Sequence, residues 1–359
     1  MRFVLALLLL LTASPALAQV PLTQREMIGE VIHNYIRPNF HAFNQAGETL
    51  QARAEALCAA PSVETLEASR EAFRGFLLAY ARVEFVTAGP LGVGDRVLRL
   101  LLWPDPKGIV LKQIQTTIAK KDETATNPKT LYDKSVGLQG LMALEFVLFG
   151  TGADDLATAK GDYRCRYGLA VTSLISGLAK TIDAEWQEEG EAGAAGQMTD
   201  PKPDAENYRT LTEVMEKLAA TLVHGTDAIR DTRLTPVLGA EGDRPRPKAG
   251  MFWRSKMTMP MLVAEFASLS DFFDGARLRD GLQVKDDWIA DGAEYEFDNA
   301  ARTLSRLNDD TWEEIVASES GREALGHLII VTGSLDKILG DNLARAFGLA
   351  IGFSALDKD

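Results

Sequence analysis

The chain has 359 residues, 46% of them hydrophobic, and 38 basic against 51 acidic side chains give a formal charge of −13. That length exceeds what one core usually fills, so two domains or two packed bundles are expected. Net negative charge argues against nucleic acid or an anionic membrane surface as partner, because neither attracts it.

The first eighteen residues read as a cleavable export signal. Arg2 supplies a positive start, Phe3 to Leu11 an apolar stretch, and Ala16-Leu17-Ala18 the small-x-small cleavage pattern. The mature chain is then expected to begin at Gln19, in the periplasm, with charge −13 − 1 = −14. The apolar stretch is far short of the roughly 20 residues that span a bilayer. No later run of 18 apolar residues occurs, so the mature chain is expected to have no membrane span.

Helical periodicity dominates the rest. Helices are expected at about 22–57, 62–86, 108–121, 130–149, 154–187, 204–231, 256–275, 280–300 and 310–346. In the second, Leu66, Arg70, Phe73, Leu77, Tyr80 and Glu84 form a stripe at spacings of three and four; Ser62 is the expected N-cap, and "TAGPLGVGD" (87–95) ends the run. No sustained period-two alternation appears, so a sheet is not expected. The Gly-, Pro- and acid-rich stretch 188–207 falls near the midpoint. It divides the chain into an N-terminal helical bundle (19–190), a linker (191–207) and a C-terminal bundle (208–359). Cys58 and Cys165, an even pair in an exported chain, read as one disulfide in preference to two unpaired thiols.

Three carboxylates sit in apolar company. From Leu141 to Phe149 eight residues are apolar and the ninth is Glu145, with no cation within four positions. Burying an ionised carboxylate is costly unless a cation, a metal or several donors meet it. Glu84 closes the stripe of the 62–86 helix, and Glu265 lies among Leu262, Phe266 and Leu269. Inward carboxylates from several helices can build an oxygen-rich metal site. They can equally pair with arginines, for which Arg70, Arg96, Arg99 and Arg254 are available. His33, His41, His224 and His327 form no HExxH and no i, i+4 pair, so a thermolysin-like zinc site is excluded. GxSxG, P-loop and dinucleotide-binding fingerprints are also missing.

Several separated motifs, in a shared order from about residue 25 to 359, resemble the imelysin-like family, nominal metallopeptidases of bacterial envelopes. They are "VIHNYIRPNFHAF" with Tyr35, Pro38 and Phe43; "FRGFLLAYARVEFVTAGP" with Phe73 where Trp is common and Tyr80, Glu84, Gly89 and Pro90 in place; and "LLWPDPKG" with Trp103 and Pro104. "FWRSKMTMP", with Arg254 and Ser255, and the terminal "GLAIGFSALDKD", with Phe353 and Asp357, resemble the late motifs. The family's GxHxxE motif falls on "GLMALE": Gly140 and Glu145 match, but Met142 stands at the His position. A thioether neither takes a proton nor binds a hard cation as imidazole does, which undercuts the peptidase label.

The expectation is therefore an all-α protein of two up-and-down bundles with a cleft between them. The resemblance implies a binding role in an iron- or metal-linked envelope setting. A metallopeptidase and a metal-free helical adaptor or ligand-binding protein are the alternatives. The candidate ligand-binding residues are Glu84, Glu145, Arg254 and Asp357, with Glu145 as candidate metal ligand and no catalytic residue assigned. The cofactor is iron, another divalent metal or none; the partner is a metal ion, a small ligand or an envelope protein.

Overall fold

A computed structural model describes residues 20–239, 244–307 and 309–350. The segment read as an export signal, Phe353 and Asp357 lie outside the described residues. Helices of eight or more residues are α1 (Gln24–Val31), α2 (Arg37–Ala59), α3 (Val63–Ala81), α4 (Ile109–Lys120), α5 (Leu141–Phe149), α6 (Asp162–Gln187), α7 (Leu211–Ala228), α8 (Thr258–Gly275), α9 (Asp287–Leu307) and α10 (Glu319–Asp336). Among the described residues there is no strand, as the sequence implies.

In the first half, α2 packs against both α3 and α6, and α5 lies on α6. Where α2 passes α6, the Ser176 hydroxyl donates to the Gly47 carbonyl at 2.8 Å. In the second half, α7 and α9 pack on α10, and α8 bridges α7 and α9. The halves meet where α3 packs on α8 and where α1 crosses to α7 and α8. The disulfide between Cys58 and Cys165 ties the end of α2 to the first turn of α6, with Cα atoms 5.6 Å apart.

Ser62 caps α3 as expected, its hydroxyl accepting from Thr65 N–H while Thr65 Oγ1 accepts from Ser62 N–H. Prolines shape two helices without ending them. Pro38 lacks an N–H and would crowd the carbonyl four residues back, so the ladder widens to a π turn at Ile32–Ile36 and Arg37 N–H reaches Ile32 O. Pro236 stands in the same relation to the π turn Ile229–Leu234, across which Thr235 N–H reaches Arg230 O.

The structure revises several expectations. The helix at 130–149 breaks into Pro128–Tyr132, a 3-10 turn and α5. At the break, a Cβ on Gly140 would lie 2.5 Å from the Leu100 carbonyl oxygen, so only glycine permits this backbone approach. The helix at 154–187 starts only at Asp162, because 153–161 forms two 3-10 turns. The stretch 191–207, read as linker, carries a short helix, Ala194–Thr199, that buries Met198.

Candidate functional site

Glu145 lies on α5, which is apolar on all sides and almost wholly buried. Its side chain crosses to the second half, where the turn 251–256 receives it. Glu145 Oε1 accepts from Ser255 N–H at 3.0 Å, and Ser255 Oγ lies 2.9 Å away. That hydroxyl is also 3.0 Å from the Phe252 carbonyl; with one proton to give, the carboxylate is the stronger acceptor. Oε2 has no hydrogen-bond donor within reach and lies 3.8 Å from Arg254 Nη1. Burial pushes the carboxyl pKa up, while the Ser255 donors and the Arg254 charge pull it back.

The helix and the turn are both held rigidly. At the α5 C-terminus Arg164 donates to the carbonyls of Phe146, Val147 and Thr151 at 2.8–2.9 Å, and Arg70 Nε donates to Leu148 O at 2.9 Å. Cations there oppose the negative end of the helix dipole. The turn carries two non-glycine residues in the left-handed region, Phe252 (φ 58) and Lys256 (φ 61), on either side of Trp253–Ser255. Such backbone costs about 1 kcal/mol or more per residue and persists only where surrounding structure fixes it. Here the Ser255–Glu145 bonds and the burial of Phe252 against Phe73 do so.

Met142, one turn before Glu145, is half-buried and packs against the apolar core. Among the described residues no group of three or more His, Cys, Asp or Glu side chains could hold a metal ion. What surrounds Glu145 is a hydroxyl, an amide and a guanidinium, a donor set suited to a carboxylate and not to a cation.

Glu84 and Glu265 belong to a second centre between the halves. α3 ends at Ala81, so Glu84 is carried by the following turn and not by the helical stripe, yet it is buried. Both carboxyls meet Arg233: its Nη2 is 3.0 Å from Glu84 Oε2 and its Nε 3.1 Å from Glu265 Oε1. All three side chains are buried, and Glu84 Oε1 and Glu265 Oε2 have no other donor. The two carboxyls lie within hydrogen-bond reach of each other; burial and then the Glu265 charge push Glu84 well above the usual carboxylate range, against the pull of Arg233. A proton retained on Glu84 would leave the cluster of two carboxyls and one guanidinium electrically neutral.

The cations suggested by the sequence thus go mostly elsewhere. Arg96 pairs with Glu185, Arg99 with Asp95, and Arg70 with Asp154; of the four, only Arg254 approaches a flagged carboxylate. Arg233, on the π turn ahead of Pro236, was missed. The four histidines are exposed, and His41 Nδ1 is 3.1 Å from the buried carboxylate of Asp183.

A cleft of about 900 Å³ opens where the 87–94 turn and the end of α6 face α7, with Glu185, Tyr208, Lys217 and His224 in its lining. Its floor depends on Gly89 (φ 88), where a Cβ would stand 2.7 Å from the Trp186 ring. None of Glu84, Glu145 or Arg254 lines this cleft.

The fold is similar to two solved structures. An imelysin-like protein from Psychrobacter arcticum 273-4 superposes with TM-score 0.73 at 18% identity, covering 94% of this chain and all of that one. A proposed iron-regulated protein A precursor from Parabacteroides distasonis ATCC 8503 gives TM-score 0.70 at 14% identity, covering 91% of this chain and 96% of that one. No curated protein matches. The model of the imelysin peptidase family matches residues 36–332, which include both carboxylate centres, and the chain therefore belongs to the imelysin family.

Proposed function

We propose that this chain is a ligand-binding member of the imelysin family, exported to the periplasm and acting in an iron- or metal-linked role, and not a working metallopeptidase. The observation that carries the reading is the environment of Glu145. A peptidase needs its carboxylate beside a metal-bound water, as general base or ligand. Glu145 is instead fully buried, bonded to Ser255, and one turn from a thioether where the family motif has an imidazole. In this reading Glu145 holds the 251–256 turn in place, and Arg254 on that turn faces the ligand. Glu84 joins the halves through Arg233. Asp357 remains a proposed ligand contact from the family's terminal motif. The iron link is drawn from the name of the Parabacteroides protein and from the family resemblance.

Incubation of the purified mature chain with an unstructured protein substrate, with and without added zinc or ferrous iron, tests the proposal. Cleavage no greater than in a chelator-treated control is expected. Metal-dependent cleavage that Glu145→Gln abolishes would overturn it.

A further inference from the structure

Cations and rings alternate through five contacting side chains beside Glu145. Lys248 Nζ is 5.3 Å from the centre of the Trp253 ring, and Arg254 Cζ is 4.6 Å from the same ring. Arg254 Cζ is also 5.7 Å from the Phe146 ring, which Arg164 Cζ approaches at 5.4 Å. Three cations share this series with one adjoining carboxylate, Glu145. Arg164 uses its donors on backbone carbonyls and is 7% exposed; Lys248 stands at the exposed end.

The surrounding loop has the same bias. Residues 244–256, "RPRPKAGMFWRSK", hold five cations and no acid in a chain whose net charge is −13. Arg246, Lys248 and Lys256 are exposed and form no ion pair with any described residue, whereas Arg230, Arg233, Arg277 and Arg279 are each paired. Arg254 is only 17% exposed at its side chain, wedged between two rings and a carboxylate. It therefore has little rotamer freedom left to lose when it meets an anion. The Ser255–Glu145 bonds hold the backbone of Trp253–Ser255 in place in the same way.

We propose that the loop surface where Lys248, Trp253 and Arg254 meet is a binding site for a small multivalent oxyanion. Resting on the binding role proposed above, the form it takes is a polycarboxylate carrying iron. The chemistry follows from what the site offers. A bare cation would meet guanidinium and ammonium groups here, and the described residues provide no ligand cluster for one. An anionic chelate brings its own ligands to the metal and presents outward carboxylates, which Arg254 can take in bidentate fashion and Lys248 as a point charge. Nucleic acid carries the right charge but would be repelled by the acidic remainder of the chain.

Calorimetric titration of the full mature chain with citrate, gallium(III) citrate as a redox-inert stand-in for the ferric complex, and inorganic phosphate decides the matter. Gallium citrate should bind saturably and more tightly than citrate or phosphate. Its affinity should fall with added salt and weaken at least about tenfold in Lys248→Glu, an exposed change that leaves the fold intact. Wild-type protein that binds none of the three overturns the site. Equal binding of all three overturns the chelate assignment. Undiminished gallium citrate binding in both Lys248→Glu and Lys256→Glu overturns the location while leaving a binding protein in place. Metal-dependent peptidase activity alongside loop-dependent anion binding overturns the proposed function and not this site.

Discussion

Glu84→Gln tests the shared proton between the halves. In the wild type Arg233 donates to one oxygen of each carboxyl, and the remaining oxygens, Glu84 Oε1 and Glu265 Oε2, have no hydrogen-bond partner, so a proton retained on Glu84 relieves the repulsion between the two carboxyls. The substituted glutamine mimics the protonated form: its carbonyl oxygen can accept from Arg233, and its amide group carries hydrogens where the protonated carboxyl would carry one. No charge is stranded, unlike the removal of one member of a buried pair, which costs about 3–5 kcal/mol. The pH dependence supplies the sharper measure. Glu84 binds its proton more tightly when folded than when unfolded. This contribution is therefore complete below the unfolded carboxyl pKa, near 4.3, and is lost as pH rises toward the folded value. Across that window one linked proton changes stability by about 1.4 kcal/mol per pH unit. Glu84→Gln lacks the linkage, so its stability relative to the wild type should rise with pH above the unfolded carboxyl pKa, by no more than that slope. Urea denaturation at fixed ionic strength measures both proteins. A variant several kcal/mol less stable at every pH, with the difference independent of pH, would show that both carboxyls are ionised and refute the shared proton.

Ser255→Ala keeps the amide donor to Glu145 and removes the hydroxyl, so a loss of about 1–3 kcal/mol is expected by denaturation, with slower proteolysis at 251–256 arguing against it. Met142→His places an imidazole one turn from Glu145; calorimetry with zinc should show no tight site, because the third and fourth ligands are missing among the described residues. Cys58 and Cys165 lie 107 residues apart, so reduction should lower stability by up to about 4–5 kcal/mol on the chain-entropy account, while two free thiols in denatured, unreduced protein would contradict the bond.

How much of this was legible in the sequence depended on range. Local signals held: the Ser62 cap, the all-helical periodicity, and the burial of Glu145 read from its eight apolar neighbours. The cysteine pair was legible from parity and from the expectation of export. The partner of Glu84 was not. Arg233 lies 149 residues away and reaches Glu84 only because the helix continues through a π turn before Pro236, where a stop near 231 was expected. A proline in a helical run usually signals an ending, but widening the ladder by one residue also relieves its clash, and this turned Arg233 toward the interface. Glycine misled in the opposite sense. Gly140 falls inside the single helix expected at 130–149, but the close pass of the Leu100 carbonyl at that point breaks the helix.

With "GLMALE" placed where the resemblance puts the family's GxHxxE pattern, the same geometry accounts for a Gly and a Glu retained without the His. Gly140 is required by the Leu100 backbone whatever the site binds. Glu145 is required by the turn it anchors, since losing both Ser255 bonds would free a segment with two left-handed residues to relax. Neither role involves a metal. The His position is different: its occupant faces partly outward, and Met142 fills it with apolar contacts to the core. A change there can remove imidazole chemistry while sparing the framework that presents Trp253 and Arg254. The frame and the chemistry are thus separable in this motif, and the function proposed above has this chain keep the frame.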